Sequence, residues 1–239
     1  MMSPVPSSYN STLVVLSVVI AIAASYTALD VAARVSVAKG RAQVVWLCCG
    51  AAAMGIGIWA MHFVGMLAFQ LPFEVEYDIQ TVAVSMLPAI LSSGLALFLV
   101  SRDTLGWPRL MGGSLLMGSG IASMHYVGMA AMQMPATMQY SQLWVAVSVL
   151  IAIAVSFVGL FLVFRLRTDS THQLKKRLLA AVAMGAAIPT MHYTGMAAAQ
   201  LVPNDATADL FARTLRPPTN DEPLAIAVIV STAIIFSIA

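Results

Sequence analysis

Seven apolar runs set the first limit on what this chain can fold into. They cover roughly residues 12–33, 43–70, 80–100, 110–134, 143–164, 178–201 and 224–239. A helix crossing a bilayer needs about 20 apolar residues at 1.5 Å rise each, and six of the runs reach that length. The seventh is still hydrophobic at Ala239, which predicts that the chain is the membrane part of something longer. Charged residues make up only 9% of the chain, against about 25% in soluble domains. Lipid offers no partners for backbone groups, so each span must be helical. The expected fold is an all-α membrane protein with seven transmembrane helices. The opening MMSPVPSSYNS lacks the basic segment of a cleaved signal, so the first span is expected to be retained.

Charge orients the spans. The first, third and fifth connections hold Arg34, Lys39, Arg41, Arg102, Arg109, Arg165, Arg167, Lys175, Lys176 and Arg177, ten of the twelve Lys and Arg. The second and sixth hold Glu74, Glu76, Asp78, Asp205, Asp209, Asp221 and Glu222 against only Arg213 and Arg216. Basic loops stay in the cytoplasm, which places the N-terminus outside and the C-terminus inside. Because the basic residues are confined to loops, the net charge of +2 does not point to nucleic acid.

An internal repeat organises the rest. The stretches AMHFVGMLAFQLP, SMHYVGMAAMQMP and TMHYTGMAAAQLVP are near-copies centred on His62, His125 and His192. Met54, Met117 and Met184 lie eight residues earlier, Gly55, Gly118 and Gly185 seven, and Ile58, Ile121 and Ile188 four. The alternate spans repeat too: Ser25, Ser93 and Ser156 each precede an arginine (Arg34, Arg102, Arg165) by nine. Three two-helix units result, over about 12–72, 80–135 and 143–203, with an extra helix at 224–239. Parallel repeats imply a pseudo-symmetry axis along the membrane normal.

Residues four apart share a helix face, so His62, Met66 and Gln70 are expected on one stripe, as are His125, Met129, Gln133 and His192, Met196, Gln200. Gly55 and Gly65 border that face, and small residues let helices approach closely. The stripe should therefore point into the bundle, with the imidazoles at matched depth about 12 Å below the outer end of each span. Duplication of a packing motif competes with this, since methionine is common core filler. Imidazole with thioether and no nearby carboxylate suits copper, above all Cu(I); zinc gains little from thioether. Non-covalent haem stays open, whereas the absence of Cys-x-x-Cys-His excludes the covalent form.

The motifs MHFVGM, MHYVGM and MHYTGM, with ASYTALD at Ala24–Asp30, resemble the MHYT family of bacterial membrane sensor domains. The resemblance implies a seven-helix sensor in the bacterial inner membrane. It implies copper held by Met61, His62, Met66, Met124, His125, Met129, Met191, His192 and Met196, and detection of oxygen, carbon monoxide or nitric oxide. It also implies cytoplasmic GGDEF and EAL output domains that make and break cyclic di-GMP, and it admits a homodimer. The first motif has Phe63 where the others have Tyr126 and Tyr193, and the third has Thr194 in place of valine.

Asp30 has Phe98 and Phe161 as its repeat equivalents, and Arg34 one turn on is its expected partner. The adjacent Cys48 and Cys49 read as small packing residues, Pro189 as a static kink in the sixth helix, and His172 as a solvated loop residue. No nucleophile-base pair or catalytic carboxylate pair is evident, so a non-enzymatic signal-input domain is expected. A copper or small-solute transporter and a haem-linked redox protein are the alternatives.

Overall fold

The computed structural model describes residues 5–167 and 174–203. The expected seventh helix at 224–239 and His172 lie outside the described residues. Within them are six helices: α1 (Ser11–Val37), α2 (Arg41–Ala68), α3 (Ile79–Val100), α4 (Trp107–Ala130), α5 (Gln142–Leu166) and α6 (Leu174–Ala198). They pack as a closed ring in chain order, with α6 returning against α1. Each repeat is one hairpin of neighbouring helices.

Four of these helices, α1, α2, α3 and α5, are long and apolar enough to cross a membrane. α4 and α6 match them in length but are less apolar, for a local reason. α4 buries Gly113, Ser114 and Gly118 against its neighbours, and α6 opens with Lys175, Lys176 and Arg177. The outward surface is greasy, with Leu91, Leu150 and Leu179 exposed to 71%, 65% and 72%, while the histidines and many serines are buried. That inversion is what a lipid-facing bundle requires.

The ring is drawn tight by three equivalent contacts. A Cβ added at Gly55, Gly118 or Gly185 would fall on the backbone of Ile90, Ile153 or Ile22 respectively. Each even-numbered helix thus touches the next odd-numbered one backbone to backbone, around the whole circle. Only glycine permits this approach.

At one end of the bundle each repeat is closed by a short antiparallel strand pair. β1 (Ser8–Tyr9) pairs with β2 (Phe69–Gln70), β3 (Glu76–Tyr77) with β4 (Met132–Gln133), and β5 (Ala136–Tyr140) with β6 (Ala199–Pro203). In every case the strand entering the odd-numbered helix lies beside the strand leaving the even-numbered one. The amides of Asn10, Asp78 and Ser141 donate to the carbonyls of Ala68, Ala131 and Ala198 at 2.8–2.9 Å. The same residues cap α1, α3 and α5. Asn10 accepts from the amides of Thr12 and Leu13. Asp78 accepts from both the hydroxyl and the amide of Thr81, and these bonds hold its carboxyl below the usual range. The helices therefore end sooner than the repeat pattern suggests: Gln70, Gln133 and Gln200 are exposed strand residues rather than members of the histidine stripe.

At the opposite end the arginines dock on their own helices. Arg34 bonds Asp30 at 2.6 Å, as expected, and also lies over Trp46. Arg102 and Arg165 lie over Phe98 and Phe161, 4.2 and 5.3 Å from the ring centroids. Arg167 donates to the carbonyls of Val100 and Arg102, tying α5 to the end of α3. Cys48 and Cys49 do not pack inward as expected; both are exposed on the outer face of α2. α6 is one continuous helix through the buried Pro189.

The glycine contacts give a direct test. Gly118→Ala should lower the thermal midpoint of the detergent-solubilised protein, because the new methyl meets the Ile153 backbone. Gly112→Ala on the same helix meets nothing within 4 Å, and should leave stability unchanged or raise it by about 0.5–1 kcal/mol.

Candidate metal centre

The three histidines meet on the axis of the ring. Nδ1 of His62 lies 3.0 Å from Nδ1 of His192 and 3.2 Å from Nδ1 of His125, and the third side of the triangle is 3.3 Å. All three residues are buried, exposed by no more than 1%. Their rings stand nearly perpendicular to one another, with centroids 4.9–5.2 Å apart. Each also packs edge-on against the aromatic residue that follows it, at 4.8 Å. No other group of three or more His, Cys, Asp or Glu side chains with metal-ligand spacing occurs among the described residues.

The glycine of each Met-His-x-x-Gly-Met motif explains how three rings fit. A Cβ at Gly65 would collide with Nε2 of His192, one at Gly128 with Nε2 of His62, and one at Gly195 with Nε2 of His125. Each helix therefore leaves space for the imidazole of another, and the interlock runs once around the axis. The three Nε2 atoms are buried without a hydrogen-bond partner.

The six motif methionines, Met61, Met66, Met124, Met129, Met191 and Met196, are all buried, and belong to one apolar cluster with Trp59, Phe63 and Ile121. The structure thus brings the three histidines together and buries all six motif methionines in the apolar cluster around them. Among the described residues no Asp or Glu is buried.

The motif hydroxyls are engaged elsewhere. Tyr126 bonds Ser148 of α5 at 2.7 Å, and Tyr193 bonds Ser17 of α1 at 3.0 Å. The equivalent serine on α3, Ser85, faces Phe63, which has no hydroxyl. Trp59 takes its place, donating from Nε1 to Ser85 at 3.1 Å and to the Val82 carbonyl at 3.2 Å. The positions equivalent to Trp59 are Ala122 and Pro189, so the indole and the missing phenol are one compensated exchange.

A second aromatic layer covers the motif rings from the strand end. Tyr9 packs on Tyr193, Tyr77 on Phe63 and Tyr140 on Tyr126, with centroids 5.6, 6.3 and 5.7 Å apart. Burial, reinforced by Tyr193, pushes the Tyr9 hydroxyl up to about 12. Burial, reinforced by Tyr126, also raises Tyr140. The sequence reading missed these residues. Their signal was a tyrosine one position before each helix cap, in Tyr9-Asn10, Tyr77-Asp78 and Tyr140-Ser141.

Comparison with known proteins agrees with the repeat. The MHYT family, described as a bacterial signalling protein N-terminal repeat, matches residues 1–45, 55–113, 118–174 and 185–239. The chain is 55% identical over 194 residues to the bifunctional diguanylate cyclase/cyclic di-GMP phosphodiesterase MucR of Pseudomonas aeruginosa, covering 81% of this chain and 28% of that protein. It is 40% identical over 194 residues to the signaling protein YkoW of Bacillus subtilis (80% and 24% of the two chains). It is also 40% identical over 192 residues to the cyclic di-GMP phosphodiesterase NbdA of Pseudomonas aeruginosa (80% and 24%). The chain spans about a quarter of the length of these curated relatives. No solved structure matches it. With three motifs on one axis and a family match over most of its length, the chain belongs to the MHYT family of bacterial signalling proteins.

Proposed function

We propose that this chain is the membrane signal-input part of a cyclic di-GMP signalling protein, and that its three histidines hold one copper ion. The meeting of three Nδ1 atoms carries the reading. A neutral imidazole has one N–H, on either Nδ1 or Nε2. A hydrogen bond needs one protonated and one bare nitrogen, so no assignment of hydrogens satisfies all three sides of a triangle. At least one side must set two lone pairs or two N–H groups against each other at about 3 Å. A buried polar atom without a partner costs about 1–3 kcal/mol, and native domains are stable by only about 5–15 kcal/mol. As inert packing the cluster is expensive. A shared cation satisfies all three Nδ1 atoms at once and leaves each hydrogen on Nε2.

Size and donor chemistry fit such an ion. Sides of 3.0–3.3 Å put the centre of the triangle about 1.8 Å from each nitrogen (side divided by √3), close to the usual imidazole–metal distance of about 2.0 Å. A small outward shift of the rings, or an ion just off their plane, closes the difference. Neutral imidazoles among buried thioethers, without carboxylate, favour Cu(I) over harder cations. Met66, Met129 and Met196, one turn towards the strand end, and Met61, Met124 and Met191, beside the histidines, are the thioethers available to complete the coordination. Three nitrogens within 3.3 Å of one another favour one small shared ion over a haem held between two of these histidines. Transport is disfavoured as well, because Cys48 and Cys49 face outward and leave no thiol on the axis.

Bound copper would supply affinity for a diatomic molecule (oxygen, carbon monoxide or nitric oxide) or a change of oxidation state. The chain's own part is to hold three rigid helices by one side chain each, so that a change in the layer biases how α2, α4 and α6 pack. A ligand shifts such an equilibrium only by its differential affinity for the two packings. With the strand end outside the bacterial inner membrane, the arginine end would pass that bias to GGDEF or EAL domains in the cytoplasm, within one chain or a homodimer.

Anaerobic titration of the full chain with Cu(I) against a chromogenic chelator tests the premise. Loss of any one of His62, His125 or His192 to alanine should weaken copper binding by more than tenfold. Equal retention of copper by wild type and the triple His→Ala variant would end the reading. A separate expectation concerns geometry alone: Gly128→Ala removes no ligand yet displaces the His62 ring, so it too should abolish tight copper binding while the helical circular dichroism persists.

A further inference from the structure

Below the histidine layer the three repeats place a second set of equivalent thioethers around one hollow. Met54, Met117 and Met184 each lie eight residues before the motif histidine, about 12 Å towards the arginine end of the helix, and on the same stripe. They line a cavity of about 30 Å³ between α2, α3, α4, α5 and α6, a volume that holds at least one water-sized body. The rest of its wall is Ala96, Leu97 and Val100 of α3 and Gly159, Leu160 and Val163 of α5, which offer no donor atom. The even-numbered helices thus contribute three sulfurs to a hollow whose remaining surface is hydrocarbon.

One turn nearer the histidines, on the same faces of α3 and α5, stand Ser93 and Ser156, with Ser25 equivalent on α1. All three hydroxyls are buried and lack a hydrogen-bond partner. The outer serines of the same helices (Ser17, Ser85, Ser148) all bond a carbonyl of their own helix.

We propose that Met54, Met117 and Met184 form a second metal site, specific for a soft monovalent cation of the Cu(I) or Ag(I) class. Three neutral thioethers are the only donors in the wall. A neutral all-thioether set suits a soft monovalent ion such as Cu(I) or Ag(I), and offers no oxygen ligand to magnesium or calcium. The site is separate from the histidine trio, shares no residue with it, and stands or falls independently.

The test uses the full chain and Cu(I) or Ag(I) alone as the probe. Wild type should bind two ions. Met54→Leu, Met117→Leu and Met184→Leu together conserve volume and should leave one ion, held by the histidines; that retained ion reports an intact bundle. A His62→Leu, His125→Leu, His192→Leu variant should also keep one ion with sulfur neighbours only by X-ray absorption of its Cu(I) form, and adding Met54→Leu, Met117→Leu and Met184→Leu to that variant should remove the ion. Undiminished stoichiometry in the methionine variant would overturn the proposal. So would nitrogen or oxygen neighbours around the ion in the histidine variant.

Discussion

The space left by three absent side chains is the constraint on which this molecule depends. Gly65, Gly128 and Gly195 each make room for the imidazole of another even-numbered helix, so none of the three rings can be placed unless the other two helices are in register. A one-residue slip of α2 would move both His62 and Gly65 by about 1.5 Å along the axis, breaking one contact it makes and one it receives. The contacts of Gly55, Gly118 and Gly185 with the isoleucine backbones apply the same logic one layer deeper. Cores are bistable rather than continuously deformable, and two stacked circular interlocks are a core of that kind. A small change at the axis therefore has few ways to relax other than a concerted shift of the ring.

The two ends of the bundle are built differently, and the difference follows from helix direction. Near the strand end the even-numbered helices approach the axis and supply the histidines. Towards the arginine end the odd-numbered helices come inward, and Leu29, Leu97 and Leu160, equivalent in the repeats, are all buried in a second apolar cluster. The helices must therefore cross between the layers, where the glycine-isoleucine contacts sit. The strand pairs fix one end of each hairpin through the amides of Asn10, Asp78 and Ser141, and at the other Arg167 and Arg177 tie neighbouring helices through the carbonyls of Val100 and Leu29.

The repeat, the six helices, the inward face of the histidines and the Asp30–Arg34 pair were all legible in the sequence. They rest on spacing, and spacing survives without coordinates. The stripe failed at Gln70, Gln133 and Gln200 because helical periodicity says nothing about where a helix ends. Backbone pairing with the next entering segment ended it, and a two-residue strand carries no alternation to read. Cys48 and Cys49 were misplaced for a related reason. In an apolar run that faces both lipid and core, small apolar residues suit either side. The compensation of Phe63 by Trp59 needed two positions read together across a neighbouring helix, with Ser85 as their common partner.

The arginine end shows how much divergence the repeats tolerate, and so what the axis does not. Arg34, Arg102 and Arg165 occupy one position and dock on the residue four earlier, once an aspartate and twice a phenylalanine. The Asp30–Arg34 pair is partly exposed, with 29% of the Asp30 side chain and 45% of the Arg34 side chain accessible, and such pairs contribute about 0–1 kcal/mol. A cation over an aromatic face at an exposed site contributes about 0.5–1 kcal/mol. The exchange is close to neutral in stability, so three copies of one unit can drift apart there without penalty. At the histidine layer no such exchange exists, since each imidazole fills the space left by a glycine of another helix, and a smaller side chain would leave a hole in the core. Identity of the three copies at the axis and freedom at the rim are the same physical fact, seen at two depths.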